Sequence, residues 1–247
     1  MRNQGYFVAL VMACVAGFPS SALAQQFVVS NSTHRYDQYA VFGNGNNVAT
    51  SLAGASTVLV NGQEDLNTSA TPTYPNETIN KEMWVAFTSD ASQWFEAGDI
   101  APIDGAGNPY RGHFWAEMQC ATSPSCEFDQ YVTGAQNPTG AHTFEISYDA
   151  QNGTWDLYID NAFVTGSPDF PSFNSLYDIQ IGVEDTAQAF SFTYGTYFDY
   201  VQYQDVNGAW HDWSDDGETT ADYSNAPSNW SAVYDATPGE NTVALYN

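Results

Sequence analysis

The segment Ile179-Gln-Ile-Gly-Val-Glu-Asp185 decides the fold prediction for this chain. β-Branched residues alternate in it with polar or small residues, and a period of two is typical of a strand with one buried and one exposed face. Its aliphatic residues are predicted to face a core. Gln180, Gly182 and Glu184 are therefore expected together on the opposite face.

Two further segments alternate in the same way and suggest a shared face. In the segment 93–98, Trp94 and Glu96 fall on one side of the predicted strand. In the strand that follows along the chain, Trp115 and Glu117 fall on one side. Three strands therefore offer carboxylates and indoles that a single sheet could carry on one face. We expect these side chains to line a cleft.

The rest of the chain predicts an all-β fold. The alternating segments 142–148 and 154–160 flank Asn152-Gly153, a pair typical of hairpins because both residues accept a positive φ. No segment keeps an apolar period of 3.6 residues for three turns. About ten short strands within one domain of this size favour a two-sheet antiparallel β-sandwich.

The N-terminal segment has the pattern of a secretory signal peptide. Arg2 precedes an apolar run, and Ser21-Ala-Leu-Ala24 matches a small-x-small cleavage site. We expect cleavage near Ala24, so that 1–24 is removed and 25–247 folds as one β-sandwich domain outside the cytoplasm, in the extracellular medium or the periplasm. No later segment has the length of apolar sequence that a membrane span needs.

The charge of the chain restricts its partners. It has 29 Asp and Glu residues against 4 Lys and Arg, with a formal net charge of −25. Such a surface repels phosphates, which excludes nucleic acid or an anionic membrane as the main partner. An acidic habitat, in which the carboxylates are neutralised, a saline habitat and simple solubility all remain open as explanations.

The cysteine and histidine content predicts one disulfide bond and no metal site. Cys120 and Cys126 form an even pair in a chain predicted to enter an oxidising compartment, and a local disulfide is expected. Two cysteines alone fall short of the four ligands of a structural zinc site. The four histidines are scattered along the sequence and suggest no metal. No cofactor is expected.

The order of the motifs resembles that of the glutamic peptidases (eqolisins). The motifs are Trp84-Val-Ala-Phe, Phe95-Glu-Ala-Gly98, Phe114-Trp-Ala-Glu117 and Ile181-Gly-Val-Glu-Asp185. The resemblance covers roughly residues 80–205. It implies a concanavalin A-like jelly roll and an acid-active, secreted endopeptidase.

The resemblance also implies which residues are catalytic. Family members use a Glu in a Val-Glu-Asp strand and a Gln in a Gln-small-Gly strand. The Glu corresponds to Glu184, and the Gln position is occupied here by Glu96, so the sequence departs from the family at one of two essential residues. The implied substrate is an extracellular polypeptide or, for a related hydrolase, a polysaccharide.

Two carboxyls in one site also suggest acid–base chemistry, independently of the family resemblance. Two carboxyls in a desolvated site cannot both ionise cheaply, so one keeps its proton and the pair offers a base and an acid together. Ionised Glu184 could activate water, and protonated Glu96 could donate to a developing oxyanion. Glu117 is a third candidate. The alternative is that these are ordinary solvent-side carboxylates in an acid-rich chain.

The tryptophans supply the predicted binding surface. Trp84, Trp94 and Trp115 are expected on the carboxylate face beside Gln180 and Glu117, where indoles could stack on sugars or hold apolar side chains. They could equally cover an open sheet. The laminarinase pattern Glu-x-Asp-x-x-Glu does not occur. Two functions remain open: an acid hydrolase that uses Glu96 and Glu184, and a non-catalytic, lectin-like module that binds carbohydrate or peptide.

Overall fold

Alternating strands dominate the computed structural model, as the sequence pattern predicts. It describes residues 25–26, 36–43, 52–60, 64–66, 78–89, 92–102, 112–119, 127–136, 140–168, 170, 176–185, 190–192, 196–216, 221–224, 231–235 and 242–246. The predicted signal peptide, Cys120 and Cys126 lie outside these ranges, so both assignments stay predictions.

Eighteen strands and one short 3-10 helix, Trp213–Asp216, make up the regular structure of the described residues. The strands are β1 (Gln25–Gln26), β2 (Tyr36–Phe42), β3 (Leu52–Val60), β4 (Glu64–Leu66), β5 (Thr78–Ala86), β6 (Gln93–Pro102), β7 (Gly112–Gln119), β8 (Glu127–Gln136), β9 (Ala141–Asp149), β10 (Thr154–Ile159), β11 (Ala162–Ser167), β12 (Asp178–Asp185), β13 (Phe190–Phe192), β14 (Tyr197–Asp205), β15 (Trp210–Asp212), β16 (Ala221–Ser224), β17 (Ser231–Asp235) and β18 (Thr242–Tyr246). No helix in the described ranges is long and apolar enough to cross a bilayer.

Two large antiparallel sheets form the sandwich. Sheet A has the order β1-β8-β7-β6-β5-β12-β2-β16, and sheet B has the order β11-β10-β9-β3-β14-β18-β17, with β15 paired to β14. β4 and β13 form a separate two-stranded ribbon. The prediction of an all-β, two-sheet antiparallel sandwich of the concanavalin A-like jelly-roll kind is confirmed.

The strand order of sheet A corrects one expectation. The order of the motifs along the chain suggests that the strands of Glu96 and Glu184 are neighbours in the sheet, but in the structure β5 lies between β6 and β12. β5 pairs with β6 on one side and with β12 on the other, both antiparallel. Any site that joins β6 to β12 therefore includes side chains of β5.

The predicted hairpin forms between β9 and β10. The backbone N–H of Gly153 donates to the carbonyl of Asp149 at 2.8 Å, and the side chain of Asp149 accepts from the N–H of Gln151 at 2.7 Å. Gly153 has φ +73°, whereas Asn152 is not among the residues with positive φ. The prediction holds, and only glycine supplies the left-handed conformation.

The main core lies between the two sheets. Ile179, Ile181 and Val183 point into it from β12, as predicted, and meet aromatic residues of sheet B such as Phe144 and Phe198. A second, smaller apolar cluster lies on the other face of sheet A and includes Trp94, Phe114 and Trp84. Both faces of sheet A are therefore buried at its centre.

Candidate functional site

Three glutamates and a tyrosine are buried together on the face of sheet A that points away from the main core. Glu82 lies on β5, Glu96 on β6 and Glu184 on β12, with exposed fractions of 0%, 2% and 6%. Tyr39 on β2 is 1% exposed. The expectation that Glu96 and Glu184 are ordinary solvent-side carboxylates is therefore wrong.

The strand register explains how these side chains meet. The Cα atom of Glu82 pairs with Gly98 on β6 and with Gly182 on β12, and Gly182 in turn pairs with Tyr39. Glu96 lies two residues before Gly98 on β6, and Glu184 lies two residues after Gly182 on β12. Glu82 thus stands between them on the middle strand, and glycines beside it leave its carboxyl room on both sides.

Hydrogen bonds organise the cluster around Tyr39. Its hydroxyl donates to Oε1 of Glu82 at 2.7 Å and also hydrogen-bonds with Glu184. The side chain of Asn80 is buried on the same strand face as Glu82. The three oxygen-bearing groups Tyr39, Glu82 and Glu184 form one connected network, which makes their protonation states interdependent.

Burial and mutual repulsion raise the pKa values in this cluster. Burial raises the pKa of Glu96 well above its usual range, and the charge of Glu184 raises it further. Burial also raises the pKa of Glu82, the charges of Glu96 and Glu184 add to the effect, and the hydrogen bond from Tyr39 reduces it. The pKa of Tyr39 is raised first by burial and next by Glu184. Glu82 and Glu96 therefore keep their protons to a higher pH than ordinary glutamates do.

A fourth carboxyl lies farther along β12. Asp178 is 4% exposed, and burial raises its pKa to about 6, although the amide Nε2 of Gln180 donates to its Oδ1 at 3.2 Å. Gln180 is half-buried, and its Cα pairs with Trp84 on β5. Gln180 thus links Asp178 to the indole part of the same face.

The tryptophans divide between the two faces of sheet A. Trp84 and Trp94 lie on the carboxylate face with ring centroids 5.3 Å apart and an edge-to-face angle of 76°. Trp115 packs edge-on against Phe95 in the core between the sheets, at 5.9 Å. The expectation that Trp115 lies on the carboxylate face is wrong, because Phe114 occupies that face of β7.

Glu117 lies on the same face of sheet A as Trp115, which is not the face that carries the other glutamates. The two residues are two positions apart on β7, so their side chains point to the same face. The Cα of Glu117 pairs with the core residue Phe95. The structure therefore separates Glu117 from Glu96 and Glu184 by the thickness of the sheet.

Gly98 has a different role from the one that its sequence suggests. A glycine in a strand can leave room above the sheet for a substrate backbone, and the sequence predicts that role for Gly98. A Cβ atom at this position would lie 1.9 Å from the carbonyl oxygen of Lys81 and 2.7 Å from the Cα of Glu82. The close approach of β5 to β6 requires glycine here.

Sequence reasoning missed Glu82, Tyr39 and Asn80. The alternation of the segment 83–88 predicts a strand that begins at Met83. Extending this alternation back by one residue would have placed Glu82 on the carboxylate face beside Trp84. Tyr39 depends on the pairing of β2 with β12, which joins segments about 140 residues apart and leaves no local signal.

Comparisons with known proteins support the fold. No family model matches the chain, and no curated protein sequence matches it. A crystal structure of scytalido-glutamic peptidase with a transition-state analogue inhibitor is similar, with a TM-score of 0.54 and 10% identity over 86% of this chain and 98% of that one. At that identity the likeness concerns the fold alone.

More distant sandwiches also match. A family 16 endo-glucanase from Bacteroides ovatus aligns with 81% of this chain and 81% of its own, at 10% identity and a TM-score of 0.34. Sheep galectin-11 aligns with 60% of this chain and 89% of its own, at 10% identity and a TM-score of 0.32.

Proposed function

We propose that this protein is a secreted hydrolase that cleaves peptide bonds at acid pH, with Glu184 as general base and protonated Glu96 as the hydrogen-bond donor to the developing oxyanion. The observation that carries the proposal is the state of Glu96. It is buried, and its pKa is raised both by burial and by the charge of Glu184, which lies on the same face. Glu96 therefore keeps its proton to a higher pH than an ordinary glutamate, so that it can donate a hydrogen bond to an oxyanion while Glu184 serves as base.

The reaction uses one water molecule and both carboxyls. Glu184 takes a proton from water, and the oxygen attacks the carbonyl carbon of the scissile amide. The protonated carboxyl of Glu96 donates a hydrogen bond to the carbonyl oxygen as negative charge develops there. When the carbonyl re-forms and the C–N bond breaks, the departing nitrogen takes the proton held by Glu184. Water is consumed, Glu96 keeps its proton throughout, and Glu184 regains its initial state.

The other residues of the face position this pair. Tyr39 hydrogen-bonds with both Glu82 and Glu184, so it fixes the carboxyl of the base relative to the middle strand. Trp84 and Gln180 are half-buried and are the members of the face best placed to contact a substrate. Trp94 supports Trp84 from the side. Trp115 and Glu117, on the other face, have no part in the proposed site.

The family resemblance favours a peptidase over a glycosidase. Scytalido-glutamic peptidase has a similar sandwich, and in the motifs that resemble its family Glu184 and Glu96 correspond to the two catalytic residues. A protonated Glu96 can donate a hydrogen bond as the amide of the family's Gln does. This replacement works only at a pH at which Glu96 keeps its proton, which ties the proposed activity to acid conditions.

The test is a digestion screen of the purified protein against unfolded proteins and polysaccharides between about pH 2 and 7. We expect peptide products at acid pH, none from Glu184→Gln, and retained activity that extends to higher pH in Glu96→Gln. Glu145→Gln, a half-buried glutamate of β9 on sheet B, is the matched control and should stay fully active. An active Glu184→Gln enzyme would refute the assignment, and binding without turnover would favour the lectin-like alternative.

A further inference from the structure

Two of the four histidines meet between the sheets, although they are 29 residues apart in the sequence. His113 comes from β7 of sheet A and His142 from β9 of sheet B, and their rings are in edge-to-face contact with centroids 4.5 Å apart. The histidines are scattered along the sequence, and no local pattern predicts that this pair meets. The pairing is possible because the two sheets face each other.

Each histidine is held by its own carboxylate. Nδ1 of His113 hydrogen-bonds with Oδ1 of Asp99 on the neighbouring strand β6, and both side chains are almost fully buried. Nδ1 of His142 hydrogen-bonds with Oδ2 of Asp160 at 2.8 Å. Carboxylates that hold one imidazole nitrogen orient the ring and raise the basicity of the other nitrogen, as in many metal sites.

Asp160 is held in an unusual backbone conformation that directs its side chain to this place. It follows β10 with φ +52°, and its Oδ1 also accepts from the N–H of Thr143 at 3.0 Å. A non-glycine residue in the left-handed region is uncommon, although Asp tolerates it better than most. The carboxylate is thus fixed from two sides next to His142.

The distances among these three side chains suit a metal ion. One ligand atom each from His113, His142 and Asp160 can be chosen so that all lie within 4.8 Å of one another. In addition, Nε2 of His142 is buried and has no hydrogen-bond partner within the described part of the chain, which is costly for a polar atom unless something else occupies the position.

We propose that His113, His142 and Asp160 bind a divalent transition-metal ion, with Zn²⁺ as the best match, between the two sheets. Two imidazoles and a carboxylate are zinc ligands at about 2.0–2.2 Å. Nε2 of His142 would face the ion, and the carboxylate of Asp160 would exchange its hydrogen bond to Nδ1 of His142 for the ion as the three side chains close around it. Asp99 would act as a positioning residue behind His113. With three protein ligands, water would complete a tetrahedron.

Such an ion would join β7 of sheet A to β9 and the β10–β11 turn of sheet B. It lies on the other face of sheet A from Glu96 and Glu184, so its ligands are independent of the proposed hydrolase. Because binding requires the folded arrangement of both sheets, the ion should stabilise the native state. The proposal therefore concerns the stability of the sandwich.

The test uses tag-free, chelator-treated full chain at about pH 7.5, where imidazole of ordinary pKa is neutral. We expect calorimetric titration to give one Zn²⁺ per chain and Tm to rise by about 5–10 °C at zinc about 100-fold above Kd. Co²⁺ should give the visible absorption of a tetrahedral site with nitrogen and oxygen ligands.

Variants test whether zinc binds at this site and not at the His211–Asp205 pair of the described residues. His142→Ala should abolish the zinc effect on Tm, and Asp160→Asn, which keeps the left-handed backbone tolerable, should weaken binding by at least about 10-fold. His211→Ala is the matched control, because His211 pairs with Asp205 at 3.3 Å and has no second histidine beside it among the residues that the structure describes. This variant should bind zinc as the wild type does.

Two results would overturn the proposal. One is the absence of zinc binding to the wild-type chain, in which case the cluster is a hydrogen-bonded contact only. The other is a zinc effect that is the same in the wild type and in Asp160→Asn and His142→Ala. If His142→Ala does not fold, the Asp160→Asn titration and the Co²⁺ spectrum decide.

Discussion

The hydroxyl of Tyr39 donates a 2.7 Å hydrogen bond to Oε1 of Glu82 across the strand β12 that separates them. The bond can span β12 because the residue between them in the register is Gly182, which has no side chain. This contact connects β2 to β5 over the surface of the sheet. It also fixes the two groups that flank Glu184.

Tyr39→Phe should lower the free energy of unfolding by about 1–3 kcal/mol, because a buried carboxyl loses its hydrogen-bond donor. The ring itself, which contacts Trp84 edge-on at 5.9 Å, is kept. Tyr158→Phe is the matched control, since that hydroxyl makes only a 3.3 Å hydrogen bond to Asp156 in a more accessible place. Urea unfolding measures both variants, and equal losses would contradict the special role of Tyr39.

Glu184→Gln should lower the pKa of Glu96, because the charge of Glu184 is one of the two causes that raise it. Burial, the larger cause, remains, so the pKa should stay above its usual range. Carboxyl NMR titration of the two forms measures the change. Glu145→Gln on sheet B should leave the pKa of Glu96 unchanged. If the pKa of Glu96 were also unchanged in Glu184→Gln, the two groups would not interact.

Asp178 should make the protein less stable as the pH rises from about 4 to 6. Its pKa is raised from 3.8 to about 6, so the folded state holds this proton more tightly than the unfolded state. Stability is then lost between those two values, by about 3 kcal/mol at most for a shift of this order, and the loss is complete above the folded pKa. Asp178→Asn should remove this part of the decline in urea unfolding at pH 4 and pH 7. If the free energy of unfolding changed with pH in the same way in the wild type and in Asp178→Asn, this contribution of Asp178 would be excluded.

Gly98→Ala should destabilise the fold by about 3 kcal/mol or more, since its Cβ would collide with the backbone of Lys81 and Glu82 and neither strand can retreat without breaking its pairing. Gly140→Ala makes a useful comparison. Nothing lies within 4 Å of a Cβ there, and only the cost of φ +99° remains, about 1–2 kcal/mol. Thermal unfolding should rank Gly98→Ala as clearly the worse, and the reverse order would contradict the close strand approach.

The sequence predicted the strands and most of their faces, and it failed where both faces of a strand are buried. Alternation placed Ile181 inward and Glu184 outward on β12 because polar and apolar residues alternate cleanly there. On β7, Phe114 and Trp115 are adjacent and both buried, so alternation alone cannot say which one faces the core. Trp115 was placed on the wrong side for this reason.

The site was only half predictable because its organisation depends on pairing between distant segments. Glu96 and Glu184 were found from short motifs. The position of Glu82 between them requires the order β6-β5-β12, and the metal-binding proposal requires β7 and β9 to face each other across the core. Neither fact is encoded in a local pattern of residues.

The insertion of β12 between β5 and β2 also bears on how the protein folds. The segment 178–185 pairs with 78–86 and with 36–42, so the shortest stretch of chain that contains Tyr39, Glu82, Glu96 and Glu184 runs from 39 to 184. Contacts of such sequence separation form slowly, because a long loop must close before they are made. The carboxyl cluster should therefore assemble late, after β5 and β6 have paired, and a chain interrupted before β12 should have the hairpins but not the buried acids.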